Sequence, residues 1–425
     1  MSGIRIFLTI FCAAMLFPVS ARADQPDVLA ITGGRVITGS ATGVIEGGTV
    51  IVRKGRIEAV GRDIAIPAGA RIVDAKGGFV TAGLISPWSQ LGLVEVETVG
   101  ETLDMTAGNS SFSAGFEVAP GVNPASTIIP TARLAGVTRA VIFPVAGTSI
   151  FAGTAAIIGT DGADDSVFDA RSAIFIELGA RGAELSGGAR GATWVALRRL
   201  FSAALAGGKK PDPDDIDGAA IRALVAGDLP MVAHVERAAD IRQLIAFARA
   251  YPKLRVILFG ASEGWVVASE IAAARMAAIV DSYANLPVAF ETMGATQQNA
   301  RRLANAGVTI AIAPLNRFSA AQPHDARLVA QYAGNAVANG LNWAQAFDAV
   351  TINPARMFGI DRSLGSLEPG KIADVLVWNA DPLEIGSAPV MVLIAGREMP
   401  LKSRQTELFE RYRNLGNPKP FQFRN

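Results

Sequence analysis

The chain has 425 residues, 50% hydrophobic and 18% charged, which suits a large packed core and excludes a disordered polar protein. Its 39 basic and 38 acidic residues leave a formal net charge of +1, so there is no electrostatic footprint for nucleic acid or for an anionic membrane. The length fits a barrel of ~250 residues with a smaller unit beside it.

The chain opens on a segment with the features of an export signal, residues 1–23. Arg5 supplies the positive start, Ile6 to Val19 the apolar run, and Ala21-Arg22-Ala23 the small-x-small cleavage pattern. The rival reading is a membrane anchor, but the run falls short of the ~20 residues a spanning helix needs. Cleavage leaves an exported, periplasmic or secreted protein with no membrane anchor. The one cysteine, Cys12, lies inside this segment. The mature chain then has no thiol for disulfides, Cys catalysis or thiolate metal sites.

Residues 28–82 read as short alternating runs, such as Gly48-Thr49-Val50-Ile51-Val52 and Arg56-Ile57-Glu58-Ala59-Val60, separated by the turn signals Gly33-Gly34 and Lys54-Gly55. They predict hairpins of a small β unit. Too few strands are present to close a core alone. Residues 365–400 repeat the pattern with Val375-Leu376-Val377-Trp378 and Val390-Met391-Val392-Leu393-Ile394, so both chain ends are expected to pair in one β-sandwich.

Between them, residues 83–361 carry a β/α rhythm. Val137–Pro144, Ala173–Leu178, Met231–His234, Leu254–Phe259, Ala277–Val280 and Val308–Ala313 read as strands, and helices are expected at Thr193–Leu205, Asp240–Tyr251, Gly264–Arg275 and Thr296–Ala306. Strands alternating with helices of ~10–15 residues imply parallel β-α units. Seven or eight strands favour a closed barrel over an open doubly wound sheet, and no Gly-x-Gly-x-x-Gly turn supports a dinucleotide fold. The fold class is therefore α/β: a (β/α)8 TIM-type barrel with a discontinuous β-sandwich domain. Glu95–Pro130, rich in Gly, Ser, Asn and Pro, is a long loop after the first barrel strand, read equally as a lid, binding loop or mobile excursion and as a disordered or interface loop. Residues 401–425 form a charged tail, read as a helix plus a docking strand or arm.

Two stretches carry a resemblance. Val80-Thr81-Ala82-Gly83-Leu84-Ile85-Ser86-Pro87-Trp88-Ser89 and Gly365-Ser366-Leu367-Glu368-Pro369-Gly370-Lys371-Ile372-Ala373-Asp374-Val375-Leu376-Val377-Trp378 stand at opposite ends of the barrel block. They resemble the framework motifs of the amidohydrolase superfamily, with Asn353-Pro354-Ala355 similar to that family's helix start near the barrel's end. The nearest likeness is to the imidazolonepropionase-like group. The resemblance implies hydrolysis of carbon–nitrogen bonds other than peptide bonds, a small amide or lactam substrate, and a divalent metal such as zinc. Carried over position by position, the family's opening His-x-His falls on Ser86-Pro87-Trp88-Ser89 and its fifth-strand His on His234. The sixth-strand His falls near Phe259-Gly260, and the eighth-strand Asp on Ala313-Pro314. With two histidines in the chain, that metal set is not assembled, and the residues themselves assign no cofactor and no metal ligand.

Candidate catalytic residues are His234, at the end of a buried strand beside Glu236 and Asp240, and Glu263, at the mouth side of the following β/α unit. For His234 the alternative is a hydrogen-bonded vestige, and for Glu263 it is a favourable charge at a helix N-terminus. Glu177 and Glu184 rank below them, and His324 reads as a surface-loop residue. The functional reading is an exported amidohydrolase-type enzyme with most standard metal ligands replaced. The alternative is a catalytically inactive subunit holding a ligand or a related amidohydrolase partner at the barrel mouth.

Overall fold

Alternating apolar residues from the two chain ends meet in a single sheet. The structure, a computed structural model, describes residues 28–39, 42–108, 110–206, 214–315 and 324–413; the expected export segment and the tail beyond 413 lie outside these. The N-terminal strands are β1 (Val28–Ile37), β2 (Val44–Arg53), β3 (Arg56–Gly61), β4 (Arg71–Asp74) and β5 (Phe79–Ala82). Lys54 and Gly55 both take positive φ (48° and 77°), the twist a tight β2–β3 hairpin requires.

The chain then builds the barrel from β6 (Leu84–Ser89), β7 (Val137–Ile142), β8 (Phe151–Gly159), β9 (Val167–Glu177), β10 (Met231–Val235), β11 (Val256–Gly260), β12 (Ala277–Val280) and β13 (Ile310–Ile312). It returns through β14 (Val375–Trp378), β15 (Pro389–Ile394) and β16 (Arg397–Glu398). β14 lies against β5, so the order β16-β15-β14-β5-β1-β2-β3 joins both ends in one connected sheet. β1 pairs with β4 through its first half and with β5 through its second.

The barrel sheet runs β13-β12-β11-β10-β9-β8-β7-β6. All neighbours are parallel except β8, which is antiparallel to β7 and β9. β8 was not anticipated: its nine residues are all buried, so no polar alternation marks it. β6 and β13 do not pair directly. Residues 349–350 stand between them, with Ile85 N donating to Val350 O (2.9 Å) and Ile312 N to Ala349 O (3.0 Å). Asn353 Nδ2 adds a 2.9 Å bond to Ile310 O. The Asn-Pro-Ala motif thus satisfies backbone groups that an open sheet edge would leave unpaired.

Strand alternation divides the core. Met231, Ala233 and Val235 face the surrounding helices, while Val232, Ile257, Phe259, Ile279 and Ala311 fill the barrel interior. The Glu95–Pro130 segment is anchored: Met105, Val118 and Ile128 are buried, and Asp217 accepts bonds from Ser113 N, Ser113 Oγ and Gly115 N at 2.7–3.0 Å. The helix Arg404–Tyr412 realises the helical part of the expected tail. Among the described residues no helix is long and apolar enough to cross a membrane.

Candidate active site

The parallel register places three inward-facing side chains on one level at the C-terminal end of the barrel. His234 of β10 lies opposite Glu177 of β9 and Phe259 of β11. His234 Nδ1 is 2.6 Å from Glu177 Oε2, and Nε2 is 3.2 Å from Glu236 Oε1. Side-chain exposure grades across the group, from 1% at Glu236 through 12% at Glu177 to 21% at His234. Glu236 also accepts from Ser262 N (2.9 Å). Gly260 next to it has φ +88°, and a Cβ there would come within 2.6 Å of Glu236 Oε1, so only glycine leaves the carboxylate in place.

Burial alone would push the imidazole toward neutrality, but Glu177 and then Glu236 outweigh it and hold its pKa well above the ordinary value. With a carboxylate at each nitrogen, both nitrogens donate and the ring is an imidazolium. It is held as a hydrogen-bond donor between two carboxylates.

A second network caps the first. Arg190 bonds Asp240 (2.6 Å) and Glu291 (3.0 Å), and Glu291 accepts from Ala180 N (2.8 Å) just beyond Glu177. Burial raises the Asp240 carboxyl, against the opposing pull of Arg190 and Arg237. Glu263 lies apart from the imidazole: its Oε2 accepts from Ala238 N (2.9 Å), the first residue of helix Ala238–Ala248. Glu184 is exposed and pairs with Arg181 at 2.8 Å. His324 stands exposed at the start of a short 3-10 turn. The structure therefore brings Glu177, His234 and Glu236 together and leaves Glu263, Glu184 and His324 outside that contact. Glu177 ranked low by sequence, yet it shares a face with Phe175 and ends its strand, which was the available signal.

Ser86, Trp88 and Ala313, singled out in the sequence, also have defined surroundings. Ser86 Oγ donates to Trp88 O (2.9 Å). The register of β6 against β7 slips between Ser86 and Ser89, around Pro87, and this extra residue turns Trp88 onto the same interior face as Ile85. Its ring packs on Phe259 (4.1 Å between centroids), Phe143 (4.6 Å) and Phe175 (4.8 Å). Ala313 is apolar and buried. Among the described residues no group of three or more His, Cys, Asp or Glu side chains is placed to hold a metal ion.

The amidohydrolase family sequence profile matches residues 228–399, which include His234, the Asn-Pro-Ala segment and the return to the sheet. The whole architecture is similar to the crystal structure of an amidohydrolase from Thermotoga maritima MSB8, at TM-score 0.77 and 21% identity over 87% of this chain and 99% of that one. Residues 228–399 thus carry the amidohydrolase family's profile, and the described fold is similar to that of an amidohydrolase. Phenylurea hydrolase B is also similar in fold, at TM-score 0.53 and 16% identity over 88% of this chain and 97% of that chain. In sequence, the amidohydrolase tasK of Hapsidospora irregularis is 44% identical over 57 residues, which are 13% of this chain and 6% of tasK. So short a match carries the family likeness and leaves substrate open.

Proposed function

We propose that this protein is an exported hydrolase of non-peptide carbon–nitrogen bonds, in small amides, lactams or ureas, with the standard metal ligands replaced by a Glu177 general base held in place by His234 and Glu236. The observation that carries this reading is the imidazolium clamped between one buried and one mouth-facing carboxylate at the C-terminal end of a barrel strand, where barrel enzymes keep their catalytic groups. The phenylurea named in a structural relative supports the bond class. Export rests on Arg5, the Ile6–Val19 run and Ala21-Arg22-Ala23.

In this reading Glu177 is the general base. It takes a proton from water as the water oxygen attacks the carbonyl carbon. It then delivers that proton to the leaving nitrogen as the C–N bond breaks, yielding acid and amine. His234, pinned by Glu236, orients the Glu177 carboxylate.

The test is turnover of a panel of acyl amino acids, lactams and phenylureas by protein stripped with chelator. Activity should survive stripping and fall about 10²–10⁴-fold in Glu177→Gln. Turnover that needs added zinc would overturn this reading. No turnover anywhere on the panel would favour a binding subunit.

A further inference from the structure

At the barrel face opposite Glu177 and His234, a cavity of about 700 Å³ spans the starts of four consecutive parallel strands. Pro230, Arg255, Met276 and Thr309, which immediately precede β10, β11, β12 and β13, all line it. Its floor reaches Ile257 and Met357 of the barrel's interior cluster, so one wall is apolar. The charged part of the lining is one-sided. Arg249, Lys253, Arg255, Arg275 and Arg356 share the cavity with a single carboxylate, Glu270, which already accepts three bonds from Arg242 (2.8–3.0 Å). Lys253 and Arg275 make no ion pair among the described residues, and Arg255 donates only to Met357 O (2.9 Å).

Two of these cations stand where a helix end favours them. Arg249 caps helix Ala238–Ala248 and Arg275 follows helix Ala268–Ala273, and each helix C-terminus carries about half a negative charge. Five cations against one carboxylate leave a formal +4, of which the two helix ends offset only about one, so the cavity stays cationic. Arg275 also holds a backbone conformation that favours another residue. It lies in the left-handed region (φ 54°) and closes its helix with Arg275 N donating to Ala272 O (2.9 Å) and Met276 N to Ile271 O (3.2 Å). Glycine is preferred in that turn, so an arginine there points to a use for its side chain.

We propose that this cavity binds a small ligand carrying two or more phosphate groups on an apolar body. Its size falls in the range of small-molecule sites and exceeds what orthophosphate alone would fill. Guanidinium groups meet phosphate oxygens with two donors at a time, and several cations around one hollow suit the multiple charges of a diphosphate. A concave wall of one sign concentrates such anions although the whole chain carries only +1. The apolar floor takes the uncharged part of the ligand. This site is independent of the C–N hydrolysis proposed above: Glu177, His234 and Glu236 do not line it.

Equilibrium dialysis of the full chain against pyrophosphate, ADP, orthophosphate and adenosine tests the assignment. Pyrophosphate and ADP should bind at least about 10-fold more tightly than orthophosphate, with ADP the tighter of the two and both weakened by added salt. Arg275→Gly should keep or raise Tm, because it relieves the left-handed turn, yet lose about 10-fold in affinity. Arg249→Ala/Lys253→Ala should lose at least as much. Arg198→Ala/Arg199→Ala, on exposed positions of helix Arg190–Ala206 that do not line the cavity, should change nothing. Binding of neither pyrophosphate nor ADP, affinity no better than for orthophosphate, or affinity indifferent to the cavity variants overturns the proposal. So does retention on phosphatidylglycerol vesicles without binding of either soluble probe, which would make the cluster a lipid contact.

Discussion

Glu177 and His234 face each other across the parallel β9–β10 ladder, with carboxylate oxygen and ring nitrogen 2.6 Å apart. Register alone makes this pair: the residues are distant in sequence, Glu177 ends β9, and His234 is the penultimate residue of β10. The contact is short and charge-assisted, and it is braced from the other side by buried Glu236.

The first prediction concerns pH. The folded-state pKa of His234 lies above its unfolded value of about 6.5, so its stabilising effect is complete below that value and is lost as pH rises through the folded one. Tm should therefore decline on the alkaline side of the ordinary histidine range. His234→Gln should flatten that limb. Calorimetry across the range decides it, and an unchanged alkaline slope in the variant would contradict the assignment.

Arg139 of β7 and Asp374 form a buried bidentate pair (2.7 and 3.2 Å) that ties the barrel to the end-strand sheet. Ala395 N also donates to Asp374 (2.8 Å). Asp374→Ala strands the guanidinium and should cost about 3–5 kcal/mol. Urea denaturation should also show Arg139→Met/Asp374→Leu to be less damaging than the single change.

Burial raises the Asp348 carboxyl to about 6, against the partial opposition of Arg356. The native state thus holds a proton that the unfolded chain releases at lower pH, and stability falls as pH rises toward and through about 6. Asp348→Asn should raise Tm at neutral pH and have little effect in mild acid. Equal effects at both would count against the shift.

Glu263 separates a structural from a catalytic role. Because it accepts from Ala238 N at the start of a helix, Glu263→Ala should destabilise by about 1 kcal/mol, while Glu263→Gln keeps an acceptor and most of the stability. If Glu263→Gln is as stable as the parent but loses turnover selectively, the residue transfers protons after all.

Much of the framework is legible in the chain itself. Apolar runs at the two ends and the β/α spacing between them specify strands and helices because burial enforces periods of two and 3.6. The Lys54-Gly55 turn and the Asn353-Pro354 helix start act through local backbone geometry, and they read correctly. β8 escaped notice because a strand buried on every residue leaves no alternation.

The site was legible only in part. His234 stood out as a lone imidazole ending a buried strand, but its partners depend on contacts between strands that sequence order does not encode. The parallel register selected Glu177 over Glu184. A one-residue slip around Pro87 turned Trp88 into the barrel and placed it against three phenylalanines.

Sequence by itself determined the likeness to amidohydrolases, the β/α barrel and the joining of the two ends, since each follows from residue identity and local pattern. Tertiary structure decided that His234 is charged and doubly bound, that Glu263 caps a helix, and that Trp88 holds an unpaired donor in the interior. These properties depend on distance and burial, which exist only once strands far apart in the chain have been brought into register.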